Sequence, residues 1–186
     1  GRIRHILFLH LSLKKLSKLF LSQAEYKALI NKSVVADKWT YAQGICVEAI
    51  EAFPNEAEFK YLNGSILAHQ KEFGEAKKWL ETALLERGES IFPASFQLGL
   101  IYLTSQEVIE AKKAWIHLDA LDEGHYFNQF RFGMLHLVDN RFDEALDSLR
   151  RGIDLNGEFP SINSDMTQVL NRIQSVLKQG RYGSLS

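Results

Sequence analysis

Cysteine occurs once in the 186 residues, at Cys46, and proline only three times. A single thiol excludes an internal disulfide framework, and so few helix breakers leave room for long helices. Almost nothing alternates with period two, so strands are not expected. No run of 18 residues is free of charge, which excludes a membrane-spanning helix. Charge of one sign is missing as well: 22 basic residues face 23 acids, for a net charge of −1. A general nucleic-acid binder needs a basic field, so nucleic acid is not an expected partner. The apolar share, 46%, is that of an ordinary folded domain and leaves no room for wholesale disorder.

The patterns that carry chemistry are absent too. There is no Gly-x-Gly-x-x-Gly, no Gly-x₄-Gly-Lys and no Gly-x-Ser-x-Gly. Among His5, His10, His69, His117, His125 and His136, no i, i+4 pair with a flanking Glu presents the zinc-protease pattern. Cys46 reads as a small buried hydrophobe, not a nucleophile. The expectation is a protein that is not an enzyme and takes no metal or cofactor. The two Asn-x-Ser triplets, at Asn31 and Asn63, fall inside predicted helices and read as chance.

What is present is a repeat. Ala42, Ala76, Ala111 and Ala145 stand 34, 35 and 34 residues apart. Twelve residues before the last three stand Gly64, Gly99 and Gly133. Three residues before each alanine lies a bulky apolar residue: Trp39, Phe73, Val108 and Phe142. Four residues after come Cys46, Leu80, Trp115 and Leu149; seven after come Ala49, Ala83, Leu118 and Gly152. A period of this length means helix pairs that bury their apolar faces by stacking on their neighbours. Small residues are needed where two backbones approach, and bulky ones fill the gaps between pairs. Pro54, Gly88, Pro93, Gly124 and Gly157 punctuate the pattern where turns are required.

The spacing resembles the tetratricopeptide repeat, W-x₂-L-G-x₂-Y then A-x₃-F then P over ~34 residues. Leu98-Gly99-x₂-Tyr102 with Ala111-x₃-Trp115 is the best copy; Ile30 takes the glycine slot of the first copy, and the proline slot survives only as Pro54. The resemblance implies an all-α fold, a right-handed superhelix of antiparallel helix pairs. Four pairs are expected at about 23–56, 57–91, 92–125 and 126–159, together spanning 22–159. Residues 160–180 form an apolar stripe (Ile162, Met166, Val169, Leu170, Ile173, Val176, Leu177) expected to be a capping helix closed by Gly180. Residues 181–186 are expected to be a tail.

In such a stack the first helices of successive pairs line a concave groove. Projection of the period places Lys27, Asn31, Tyr61, Leu62, Ser65, His69, Phe96, Gln97, Leu100, Phe127, Phe130, Arg131 and Met134 there. This set, Leu62 aside, is the candidate partner-binding site, suited to a peptide or helix with apolar anchors. The alternative is that Phe96, Phe127, Phe130 and Met134 are covered by the chain itself. One tetratricopeptide subclass clamps the terminal carboxylate of chaperone tails with Lys and Asn, then Asn, then Lys and Arg. Lys27 and Asn31 match its opening, but Leu62, Pro93 and Gln97 stand where the rest is required, so that ligand is not expected.

Residues 1–38 hold eight basic residues and two acids, a surplus of +6 that leaves −7 for the remainder. Within residues 1–21, Ile6, Leu9, Leu13, Leu16 and Phe20 follow the 3-4 spacing of a helix seam. Arg4, Lys14, Lys15 and Lys18 lie opposite. Packing on protein, in the same or a second copy, is favoured over contact with an anionic membrane surface. Ser22 and Glu25 form a capping-box signature where the repeats begin. The functional expectation is a cytoplasmic scaffold or adaptor that binds a protein or peptide, with membrane association as the alternative location. A secretion chaperone similar to class II type III chaperones is the runner-up.

Overall fold

In the computed structural model, residues 21–183 are described except Arg87, with side chains described as far as Gly180. The expected helix within residues 1–21 lies almost wholly outside them. The described chain is helical, in the order α1 Gln23–Val35, α2 Trp39–Ala52, α3 Ala57–His69, α4 Phe73–Leu84, α5 Ile91–Thr104 and α6 Val108–Ala114. A 3₁₀ segment, Trp115–Ala120, follows, then α7 Tyr126–Val138, α8 Phe142–Leu155 and α9 Pro160–Gly183. The chain divides into two compact units after Ala111.

The repeat phase found in the sequence is the phase of the packing. Ala42, Ala76, Ala111 and Ala145 are all fully buried, as are Cys46, Leu80, Trp115 and Leu149. In the first unit neighbouring helices pack in order from α1 to α5, and α3 also touches α5. In the second unit α7 packs on α8 and on the 3₁₀ segment, and α8 packs on α9. A Cβ added at Gly64 would lie 2.8 Å from Leu80 Cγ and 3.3 Å from the Ala76 carbonyl oxygen. At Gly133 it would lie 2.8 Å from Leu149 Cγ and 3.3 Å from the Ala145 oxygen. The same close approach of two backbones thus recurs in both units, and it explains the glycine slot.

One regularity has no counterpart in the composition. Asp37, Lys71, Gln106 and Asn140 each have a left-handed backbone, with φ between 59° and 64°. Each stands five residues before a phase alanine. The amides of the residues that follow them donate to Ser33 O, Leu67 O, Tyr102 O and His136 O at 2.8–2.9 Å. The four residues themselves donate to Val34 O, Ala68 O, Leu103 O and Leu137 O. These are paired 6→1 and 5→2 bonds that satisfy the last carbonyls of a helix. Every turn within a pair is therefore closed by the same backbone device, without glycine.

Local signals elsewhere act as their chemistry requires. The Ser22 amide donates to Glu25 Oε2 at 2.6 Å and the Glu25 amide donates to Ser22 Oγ at 3.2 Å, which completes the capping box at α1. Those bonds hold the exposed Glu25 carboxyl below its usual range. Helix α9 does not stop at Gly180 but runs to Gly183; a glycine costs a helix about 1 kcal/mol but does not by itself end it.

Candidate functional site

In the first unit the candidate residues fall into two groups. Tyr61, Phe96 and Gln97 are buried, whereas Lys27, Ser65 and Leu100 are half-buried and Asn31 and His69 are exposed. Helix α5 explains the first group. From Ile91 to Leu103 it carries only three polar side chains, Ser95, Gln97 and Tyr102, and Pro93 through Gly99 are buried without interruption. A helix so apolar has no face left for a partner around Phe96, so the expectation of an open surface there is corrected. Gln97 spans two helices instead: its Nε2 donates to Ser65 Oγ at 3.0 Å. Lys27 pairs with Glu58 on α3 and lies 5.8 Å over the Phe59 ring. His69 stacks on Trp39 with ring centroids 3.6 Å apart, and the Trp39 indole donates to Asp37. Leu62, the clamp position, packs against the cluster around Tyr26 and Ile30.

In the second unit Phe127 and Phe130 are likewise interior, and the reason is a size match. Gly152 stands where the first three repeats have Ala49, Ala83 and Leu118, and a Cβ there would meet Phe130 Cδ1 and Cε1 at 2.4 Å. The Phe130 ring fills the space that glycine vacates. Phe127 packs on Phe159, with centroids 5.6 Å apart. These two aromatics join α7 to α8 and to the turn before α9; they do not line an open groove.

Arg131 also serves the chain itself. Its Nη1 donates to Trp115 O at 3.2 Å and to Asp119 Oδ1 at 2.6 Å. Beside it Asn128 Nδ2 donates to Leu118 O, Leu121 O and Asp122 O, at 3.0–3.2 Å. Side chains of α7 thus tie down the carbonyls of the 3₁₀ segment and of its exit, adding to the Leu121 and His125 amides that donate to Leu118 O and Asp122 O. His125 caps α7, with Nδ1 accepting from the Phe127 amide at 3.2 Å. Burial holds the His125 pKa below its ordinary value, although Glu158 and Asp122 pull the other way.

Met134 is the one candidate residue of this unit that borders open space. With Leu137 and Phe142 it forms one side of a groove whose other side is α9, through Val169, Ile173 and Val176. The groove encloses about 530 Å³, and its polar groups are Gln168 and Arg172. An asparagine latch sets the wall. Asn156 Nδ2 donates to Phe159 O at 3.0 Å and to Asn163 Oδ1 at 2.9 Å, and Asn163 Nδ2 donates back to Asn156 O at 2.8 Å. Asn156 Oδ1 accepts from the Glu158 and Phe159 amides at 3.2 and 3.0 Å. This fixes the angle at which α9 leaves α8. Sequence reasoning missed this site, although the stripe that builds it runs on to Leu177 in a helix longer than its neighbours.

Among the described residues no cluster of His, Cys, Asp and Glu is arranged to hold a metal ion, and no helix is long and apolar enough to cross a membrane. Burial raises the Cys46 thiol pKa to about 12, which keeps it protonated and unreactive at neutral pH.

No family model matches the sequence, and no curated protein is similar enough to count as a relative. Solved structures do match. MamA 41-end from Desulfovibrio magneticus RS-1 is 14% identical, with a TM-score of 0.54 over 83% of this chain and 94% of its own. YrrB, described as a TPR protein with an unusual peptide-binding site, is 18% identical, with a TM-score of 0.55 over 90% of this chain and 82% of its own. A second MamA structure is 19% identical, with a TM-score of 0.56 over 76% of this chain and 82% of its own. At such identities the likeness is one of fold, and it agrees with the alanine phase and the repeated turns.

Proposed function

We propose that this chain, whose fold is that of the tetratricopeptide repeat proteins, is a protein-interaction module holding a peptide or helical segment of a partner. The observation that carries this reading is the open apolar groove beside Met134, built on a stack whose other apolar side chains are mostly spent on packing. Exposed apolar surface of that kind marks interaction sites in folded proteins. The peptide-binding site described for YrrB is consistent with it. In the first unit, Asn31 and His69 are the candidate residues left exposed for polar contact, with Lys27 half-exposed between Glu58 and Phe59. No observation favours the secretion-chaperone alternative.

The test is affinity capture with the full chain followed by mass spectrometry, then reconstitution of any complex from purified components. A saturable complex with one partner is expected. Failure to retain any protein above a matched control, in lysates where the chain is folded, would sink the reading.

A further inference from the structure

Helix α9 is 24 residues long, whereas α7 has 13 and α8 has 14. At 1.5 Å per residue α9 therefore exceeds α8 by roughly 15 Å. Its apolar stripe does not end with the packing. Ile162, Met166, Leu170 and Ile173 are buried, but Val176 one turn further on is 46% exposed. Met134 on the opposite wall is a flexible, polarizable side chain of the kind that adapts to a ligand.

The described arginines of this unit divide between the fold and the groove. Arg131 pairs with Asp119, Arg141 with Glu144 and Arg150 with Asp147, and Arg151 donates to Gln129 Oε1 and Ser148 Oγ. Arg172 differs: it is exposed at the groove and makes no ion pair or hydrogen bond among the described residues. A permanent cation with a planar donor fork, set among apolar side chains, matches a carboxylate.

We infer that this groove receives an amphipathic partner segment whose apolar face carries a neighbouring Glu or Asp, paired with Arg172. The inference rests on the interaction-module reading and specifies the partner's chemistry. The chain's own residues 1–20 are a poorer occupant: they contain Arg2, Arg4, Lys14, Lys15 and Lys18 and no acid. They would bring like charge to Arg172.

The experiment uses the full chain and a fluorescein-labelled 16-residue amphipathic peptide, with leucines at i, i+3, i+4 and i+7 flanked by glutamates. A twin peptide carries lysines instead, and a third has the sequence of residues 3–20. Binding is followed by fluorescence anisotropy. The glutamate peptide is expected to bind two- to fivefold more tightly than its twin, the range of one exposed ion pair. Arg172→Glu is expected to invert that preference. Val176→Asp is expected to weaken both peptides at least tenfold, with the far-UV circular dichroism melt unchanged because Val176 is half in solvent. Equal affinity for the twins, indifference to Arg172→Glu, or tighter binding of the 3–20 peptide would each overturn the inference. So would binding of decanoate, a small carboxylate amphiphile, with no binding of any peptide. The two readings fail separately. A captured partner that Arg172→Glu and Val176→Asp both still retain leaves the module reading standing and removes this one.

Discussion

Gly152→Ala and Gly44→Ala are the same substitution in helix interiors, and the structure gives them opposite signs. A Cβ at Gly44 in α2 meets nothing within 4 Å. Only the helix propensity changes, and alanine gains about 1 kcal/mol over glycine. At Gly152 the new carbon would stand 2.4 Å from two ring carbons of Phe130, a side chain with no exposure. The ring must move by about 1 Å against a closed surround, and overpacking of that kind costs ~1–3 kcal/mol. Taken at the upper end and set against the propensity gain, the net loss is about 1–2 kcal/mol. A chain of this size loses ~2–4 °C in Tm per kcal/mol, so Gly152→Ala should melt ~2–8 °C lower and Gly44→Ala a few degrees higher. Thermal melts by circular dichroism read both. Phe130→Leu in the Gly152→Ala background should restore part of the loss, giving a coupling of about 1 kcal/mol in a double-mutant cycle. If Gly152→Ala melts at or above the parent while Gly44→Ala rises as stated, the ring-into-glycine packing is wrong.

Three further outcomes are expected. Lys71→Asn with Gln106→Asn should raise Tm by about 2–4 °C, because Asn tolerates the left-handed backbone at ~0.5 kcal/mol less cost per site; a lowered Tm would contradict the turn geometry. His125 has a folded pKa below its ordinary value, so the unfolded chain binds its proton more readily. The His125 contribution to stability is therefore present above about pH 6.5 and is lost as pH falls through the folded pKa. His125→Asn, which keeps a capping acceptor that does not titrate, should flatten the melting temperature between pH 7 and 5, and an unchanged slope would refute the assignment. Asn128→Ala removes the side-chain donor shared by Leu118 O, Leu121 O and Asp122 O, of which the first and last keep the Leu121 and His125 amides, and a loss of ~1–3 kcal/mol is expected in denaturant titration.

The seams were legible in the sequence because they depend on residue size at fixed spacing. Alanine and glycine at 42, 64, 76, 133 and 145 mark where backbones meet, whatever the rest of the chain does. The turns were not legible, because Asp, Lys, Gln and Asn share no property that advertises a positive φ. Only their common distance from the phase alanines identifies them. The groove residues were misplaced for a different reason. Projection onto a single helix shows direction but not how far a ring reaches, and Phe130 reaches into the gap at Gly152. That signal was present: glycine replaces the Ala49, Ala83 and Leu118 of earlier copies, opposite an aromatic. Arg131 and Asn128 could not be assigned from spacing, because their partners lie 6–16 residues away in a segment that leaves the α-helical pattern.

Asp37 is exposed but also accepts from the Trp39 indole; at Lys71, Gln106 and Asn140 the backbone alone closes the turn, and all three side chains are exposed. These positions have no packing duty, so they can change without disturbing the alanine seams five residues on. A fluorophore, a crosslinker or a glycine-flanked insertion placed there would meet solvent at the same phase of three successive repeats. Backbone periodicity thereby supplies interchangeable attachment points, through which new surface chemistry can be acquired at the turns while the core sequence stays fixed.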